Sequence, residues 1–439
     1  MNAQEIVKNN ATVLVVGGGG REHAIVHALK KSSHVSHIYA APGNAGIAEM
    51  AECVDIDVED VNTLLQFAQT HCVDMTIVGP EAALAAGIVD TFQAAGMAIF
   101  GPTRHAAQIE SSKEFAKALM KKYHIPTADY VVFDDFDKAD AYLQRHGVPI
   151  VLKYDGLAAG KGVVVAETMT EARQALHEML LERKYGHANV IMEEKLEGQE
   201  FSFMCLVSQD RVYPLELAQD HKRAFDGDTG PNTGGMGAYS PLPFIIPSIR
   251  SYALKYIMKA TVKAMKAEGF PFTGVLYGGL IKTSRGIKVI EFNARFGDPE
   301  TEVVLPRLQT DFYELICKAV NNLPLRLSWD KRSAIGVVLA SKGYPGKYEK
   351  NIPIHNLDMV EGTVYHMGTK RHGDQLVTNG GRVLFVTVLA DTLREAQVKV
   401  NAEVQKIDCR ELFHRTDIGC HAYEPVKRSK KTDHVVKTI

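Results

Sequence analysis

No stretch of the chain approaches the run of about 18 apolar residues that a membrane-crossing helix needs, and the opening MNAQEIVKNN does not pair a basic region with an apolar run. Neither a spanning helix nor a secretory leader is expected, and a cytoplasmic protein is. Cysteine is sparse: Cys53, Cys72, Cys205, Cys317, Cys409 and Cys420 form no C-x-x-C pair and no zinc-finger spacing, which favours dispersed, reduced thiols over a disulfide scaffold. An excess of charge is missing too, because 50 Lys and Arg against 52 Asp and Glu leave a formal charge of -2. Nothing draws the whole molecule to nucleic acid or to an anionic membrane, so a phosphorylated ligand requires a local basic site. The basic run KRSKK at 427–431 reads as a solvated tail.

What is present is enough material for several cores. At 439 residues the chain is roughly three times a typical domain of about 150, and 46% hydrophobic with 23% charged residues is ordinary for a globular protein. From Thr12 to Gly101 apolar runs (Val13–Val16, Ile38–Ala41, Thr76–Val78, Ala98–Phe100) alternate with helical patterns (Glu22–Lys31, Val61–His71, Ala82–Ala95). That alternation predicts an α/β domain with a parallel sheet and a functional edge at the strand C-terminal ends.

A helix is expected over Ser111–Tyr123, then a β-rich module in which Pro149–Lys153 and Val163–Ala166 flank a glycine-rich connection and Glu171–Leu181 forms a helix. The stretch Ala218–Pro247 reads as the longest irregular segment, followed by a helix at Tyr252–Glu268, strands at Gly274–Ile281 and Lys288–Asn293, and a helix near Asp311–Val320. Strands at Ala334–Ala340 and Arg382–Val388 with a helix at Leu393–Val404 complete a smaller α+β unit.

Three motifs carry chemistry. Gly17–Gly18–Gly19–Gly20–Arg21–Glu22–His23 follows a strand and opens a helix, a position where backbone N–H groups meet phosphate; a dinucleotide fingerprint is not met, because Glu22 stands where a third glycine is required and no acid ends the next strand. Lys153–Tyr154–Asp155–Gly156–Leu157–Ala158–Ala159–Gly160–Lys161–Gly162 fails as a Walker loop, since Gly162 replaces Ser/Thr and no helix follows; between two strands it reads as a hairpin able to fold over a triphosphate or as a plain glycine-rich turn. In Lys288–Arg295 the side chains of Glu291 and Asn293 share one strand face, offering two hard oxygen donors to a cation, and Arg295 extends that face. His23 and His27 stand i,i+4 on a predicted helix, but with no third ligand they read as ordinary helix histidines.

In their order along the chain, Lys113, the KxDGLAAGKG hairpin, Glu193–Leu196, Glu200 and the Glu-x-Asn-x-Arg strand resemble the ATP-grasp enzymes. More narrowly, GGREHA (19–24), PGNAG (42–46), GPE (79–81), QDHKR (219–223), GPNTGGMGAYSP (230–241) and RFGDPETE (295–302) closely resemble the phosphoribosylamine–glycine ligase family, from about Val13 to about Ala422. The resemblance implies an ATP-grasp fold, α/β and α+β and multi-domain. It comprises a Rossmann-like parallel-sheet domain at 1–103, an ATP-grasp domain at 104–327 with a lid at about 125–191, a small C-terminal α+β domain at 328–424 and a basic tail at 425–439.

It implies ATP-dependent ligation of glycine to 5-phosphoribosylamine through glycyl phosphate, with ATP as co-substrate, Mg2+ or Mn2+ as cofactor, and a monomer or weak homodimer acting on small molecules alone. Lys113, Lys153, Gly156, Gly160, Lys161 and Gly162 would hold the ATP phosphates, Glu193, Lys195 and Leu196 the adenine, Glu200 the ribose, and Glu291 and Asn293 the metal. Arg295 and Asp298, with Asp220, Lys222, Arg223, Asn232, Thr233, Gly234, Gly235 and Met236, would surround glycine and the amine, with Arg295, Asp298 and Lys153 catalytic. Gly19, Gly20, Arg21, Glu22, His23, Asn44 and Glu81 would face the ribosyl phosphate. The chain departs from the pattern at Tyr154 and Gly18, and in Leu276–Ile281, which lacks the acid that many ATP-grasp strands add to the metal shell. A related ATP-grasp ligase with another acceptor, or a nucleotide-binding protein without turnover, are the alternatives.

Overall fold

The computed structural model describes residues 6–158 and 162–423; Gly160, Lys161 and the basic tail at 425–439 lie outside the described residues. The first sheet contains β1 (Ala11–Gly17), β2 (Val35–Pro42), β3 (Glu52–Cys53), β4 (Met75–Val78) and β5 (Ile99–Phe100), parallel throughout in the order β3-β2-β1-β4-β5. β1 is an almost unbroken apolar run buried on both faces, as a parallel strand covered by helices must be. The helix expected over Ala82–Ala95 is two, Glu81–Ala86 and Ile88–Ala94, because Gly87 adopts a left-handed φ of +89° that a continuous helix excludes.

β6 (Tyr130–Phe133), β7 (Ile150–Tyr154), β8 (Val163–Ala166) and β9 (Val190–Glu194) form an antiparallel sheet in the order β6-β9-β7-β8. Ala139, Leu143, Ala172 and Leu176 from two helices close over it, giving this small unit a core of its own. Its second helix starts at Met169, where Thr168 and Glu171 make a capping box, and loosens into a π turn over His177–Leu181. β7 and β8 pair antiparallel, with Lys153 opposite Val163.

Next come β10 (Gln199–Gln209), β11 (Arg211–Pro214), four short strands β12 (Gln219–Asp220), β13 (Arg223–Phe225), β14 (Thr229–Asn232) and β15 (Gly237–Ser240), and the long pair β16 (Phe272–Thr283) and β17 (Gly286–Asn293). β11-β10-β16-β17 is an antiparallel sheet against which the helical stretch Pro247–Ala267 and helix Phe312–Val320 pack. That first helical stretch begins five residues before the Tyr252 expected, with Pro247 in its first turn.

The last strands are β18 (Ser333–Ser341), β19 (Thr363–His366), β20 (Thr369–His372), β21 (Gln375–Thr378), β22 (Arg382–Ala390) and β23 (Leu412–Phe413). Here the structure corrects the reading of 218–247 as irregular. β12 and β15 extend the sheet as β12-β15-β18-β22-β19, and β13 and β14 make a hairpin. These strands are two to four residues long and rich in glycine and polar groups, so they show no period-two apolar pattern; β15 is held by burial and by pairing with β18. One sheet thus takes strands from both sides of residue 328. No helix among the described residues is long and apolar enough to cross a membrane.

Candidate active site

The nucleotide side is built on β7 and β9. Val151 pairs with Glu193 and Lys153 with Ile191, which places Lys153 and Glu193 diagonally on one sheet face. Glu193 Oε2 is 3.0 Å from Lys153 Nζ and 3.0 Å from Lys117 Nζ, with all three groups buried. Lys153 also donates to the Ile290 carbonyl at 2.9 Å, tying β7 to β17. Burial lowers the Lys117 ammonium to about 8 against the pull of Glu193. Lys113, one turn earlier on the same helix and also lowered by burial, donates to the Gly156 carbonyl at 2.9 Å. Lys117 did not figure among the expected site residues; its i,i+4 spacing from Lys113 was the available signal. Leu196 is half-buried, Lys195 pairs with Glu167, and the exposed Glu200 meets Lys222 at 3.1 Å.

At the centre, Glu291 faces Gly279 across the sheet and Asn293 faces Tyr277. Burial alone would raise the Glu291 carboxyl, but Lys222, Lys153, Lys113 and Arg295 outweigh it and keep it anionic. A carboxylate and an amide oxygen on one face suit a hard divalent cation, and Gly279 opposite adds no side chain to crowd it. Arg295 hydrogen-bonds Asn293 Oδ1 at 3.3 Å and is clamped by Glu110 at 2.9 Å and Glu81 at 3.3 Å. Glu110 also accepts from the Ala294 N–H at 2.7 Å; as a lone acid in a four-residue helix, it had no local pattern to mark it.

The loops at the C-terminal ends of β1, β2 and β4 converge beside Arg295. Arg21 donates to the Gly79 carbonyl at 2.7 Å, and Glu22 accepts from the Gly19 N–H at 2.6 Å while packing against Gly79, where a Cβ would lie 2.1 Å from its Oε1. Burial raises the Glu22 carboxyl, and Arg21 only partly offsets it. Two expected phosphate-facing side chains hold the loops instead: Asn44 bonds the carbonyls of Gly18 and His366 and the N–H groups of Gly46 and Ile47, and His23 Nδ1 accepts from the His366 N–H at 2.8 Å. Gly20 lies against Glu302 and Met367.

On the fourth side, Asp220 is pushed up to about 7 by burial, with Lys222 opposing and Glu300 and Glu200 adding to the rise. Glu300 accepts from Ser202 at 2.7 Å and Tyr277 at 2.8 Å. Thr233 bonds the Lys222 carbonyl through its N–H and its hydroxyl, while Met236 is wholly buried and contributes its N–H to the His221 carbonyl. The exposed Arg223 bonds the Gly230 carbonyl at 2.8 Å, and Asn232 is exposed. The loop is anchored from the last sheet. Arg382 donates to the Gly234 carbonyl at 2.6 Å and to Asp298 Oδ2 at 3.0 Å, and the Tyr344 hydroxyl accepts from the Gly234 N–H. Arg382 and Tyr344, about 110–150 residues from the loop, had no sequence signal. Gly235 is buried against Pro299.

Comparisons with known proteins agree with this architecture. Residues 11–110 match the phosphoribosylglycinamide synthetase N domain, 111–301 its ATP-grasp (A) domain and 334–421 its C domain. A phosphoribosylamine–glycine ligase of Halalkalibacterium halodurans is 52% identical over 425 residues, 96% of this chain and 99% of that one, and one of Streptococcus pneumoniae is 49% identical over 93% of this chain and 99% of that one. The crystal structure of phosphoribosylamine–glycine ligase from Thermotoga maritima superposes with a TM-score of 0.83 at 30% identity, covering 93% of this chain and all of that one. The biotin carboxylase domain of Hydrogenobacter thermophilus 2-oxoglutarate carboxylase, solved with MgADP, shares the fold at 16% identity with a TM-score of 0.72 over 92% of this chain and 91% of that one. With three consecutive domain matches and relatives near half identity over almost its whole length, the chain belongs to the phosphoribosylamine–glycine ligase family of ATP-grasp enzymes.

Proposed function

We propose that the protein ligates glycine to 5-phosphoribosylamine, converting ATP to ADP and phosphate and yielding glycinamide ribonucleotide for purine biosynthesis. The observation that carries the chemistry is the convergence of Lys113, Lys153, Lys222 and Arg295 on the buried carboxylate of Glu291, which they keep anionic. Converging cations suit the oxygens of a polyphosphate, and the carboxylate gives a bridging cation its anchor. The name of the near-half-identical relatives supplies the acceptor and the amino acid.

A carboxylate does not acylate an amine directly, because oxide would have to leave. In this reading a glycine carboxylate oxygen attacks the γ-phosphorus, the bond to the bridging oxygen breaks, and ADP leaves with that electron pair. The amine nitrogen of phosphoribosylamine then adds to the carbonyl of glycyl phosphate, and the C–O bond to phosphate breaks. Lys113 and Lys153 neutralise charge on the transferred group, and Arg295, held rigid by Glu81 and Glu110, stabilises the phosphoryl oxygens and then the tetrahedral oxyanion. Asp220, poised near 7, accepts the proton the amine loses. Magnesium or manganese held by Glu291 and Asn293 would supply further charge neutralisation on the phosphate oxygens. Arg21 and the Gly19–His23 loop face the ribosyl phosphate in this reading, and Glu193, Lys195, Leu196 and Glu200 line the nucleoside. Gly156 and Gly162, at the two ends of the β7–β8 connection, border the triphosphate in this reading.

The same reading divides the chain near residues 103 and 327 and assigns it to the cytoplasm, as a monomer or weak homodimer that binds neither nucleic acid nor membrane. The test is ADP release with magnesium, ATP and glycine, with and without phosphoribosylamine generated in situ, alongside mass detection of product. ADP stoichiometric with glycinamide ribonucleotide, abolished in Glu291→Ala, is expected; ATP binding with no product would assign the chain another acceptor.

A further inference from the structure

Away from the nucleotide face, the segment leaving β12 meets the last described turn of the chain. His221, Cys420 and His421 come together there, one ligand atom from each lying within 4.8 Å of the others. His221 is 2% exposed and its Nδ1 is a buried nitrogen with no hydrogen-bond partner among the described residues. His421 Nε2 lies 2.9 Å from Asp228 Oδ2, and Asp228 is gripped through its other oxygen by the fully buried Arg415 at 3.0 Å. A carboxylate on one ring nitrogen is the arrangement that fixes the tautomer of a metal-ligating histidine, and the rest of the ring meets Cys420. The two imidazoles are tilted by 39° with centroids 5.0 Å apart, a separation that two rings sharing one tetrahedral ion would have.

We propose that His221, Cys420 and His421 form a binding site for one zinc-class transition-metal ion, with Asp228 as the carboxylate that orients His421. Two imidazole nitrogens and a thiolate are a borderline-soft donor set, and three protein ligands leave one tetrahedral position for water. Donors around zinc stand about 3.5 Å apart, so the cluster closes by roughly an ångström on binding. Binding displaces the thiol proton of Cys420 and the His421 proton that faces it, while His421 keeps its Nε2 proton and donates it to Asp228. At His221 the ion takes Nδ1, the ring proton moves to Nε2, and the 3.2 Å bond from the Gly419 N–H is given up. The ion would clip the turn at 419–421 to the segment between Asp220 and Lys222, behind the proposed reaction centre. Sequence spacing conceals the site, because His221 and Cys420 stand 199 positions apart.

The test is cobalt titration of the metal-stripped full-length protein, followed by optical absorption. One cobalt per chain is expected, with a thiolate charge-transfer band in the near ultraviolet and tetrahedral bands in the visible, both erased when zinc displaces it. Cobalt on the oxygen donors Glu291 and Asn293 gives no thiolate band, which separates the two sites. Cys420→Ser should remove that band, and Asp228→Asn should weaken binding roughly 10–100-fold while keeping it. Zinc should raise the melting temperature of the wild type and not that of Cys420→Ser; circular dichroism of both variants reports folding, and His421→Gln repeats the test if Cys420→Ser does not fold. Absence of a thiolate band in the wild type, or its persistence in Cys420→Ser or His421→Gln, overturns the site.

Discussion

Removing Glu193 should damage the fold far more than removing either of its partners. Its carboxylate is the shared anion of two buried ammonium groups, Lys117 and Lys153, each 3.0 Å away. In Glu193→Ala both cations face each other without an anion, and breaking a buried pair from one side costs about 3–5 kcal/mol. In Lys117→Met the anion keeps Lys153. The bonds lost run from Lys117 to Glu193 and, at 2.8 Å, to the Thr127 hydroxyl. Against that, a fall from 10.5 to about 8 means the charged Lys117 is disfavoured in the fold by roughly 3 kcal/mol, which the variant relieves. That fall already includes the pull of Glu193, so Lys117→Met should destabilise the fold far less than Glu193→Ala. Urea unfolding midpoints of both variants, with ATP dissociation constants measured in parallel, check this. Equal destabilisation by the two substitutions would refute the assignment of Glu193 as the shared counter-ion.

Three other outcomes are expected. His23 and His366 are buried neutral where the first helix meets β19, lowered mainly by burial to about 3 and about 4, so between about 4 and 6.5 the unfolded chain binds more protons and stability is lost as the pH falls. At pH 5 each should cost about 2 kcal/mol, and His23→Gln should flatten the dependence of the urea midpoint on pH; an unchanged slope would remove His23 as a cause. Arg382→Ala frees Asp298 and the Gly234 loop together and should lower kcat/KM by about 100-fold, or about 2.7 kcal/mol, with unchanged circular dichroism; kinetics within a few-fold of wild type would deny the anchoring role. If Asp220 accepts the amine proton, kcat/KM should climb as the pH rises through about 7 and its carboxyl ionises, and Asp220→Asn should lower the plateau and erase that limb.

Local chemistry made much of the molecule legible. β1, β8 and the helix Leu393–Val404 stand where their apolar periods put them, and Ser112, Thr168 and Asp311 cap helices as short side chains before an apolar run should. The pairing of Glu291 with Asn293 on one strand face needed only the alternation of β17. Reading stopped where local pattern and structure part company. β12 to β15 are polar, short and held by partners elsewhere, and Gly87 breaks a helix whose apolar spacing runs on without interruption.

The sequence by itself determined the family, the order of the motifs and the residue types available for ATP and metal, since each of these is written in contiguous residues or in a fixed period. Only the tertiary structure decided that Lys117 shares Glu193, that Glu110 clamps Arg295, that Arg382 reaches from the last sheet to Asp298, and that Asn44 and His23 spend their polar atoms on holding loops. Those contacts join residues far apart in the chain, and a buried charge or amide is committed to whichever partner the packed sheets bring within hydrogen-bond reach.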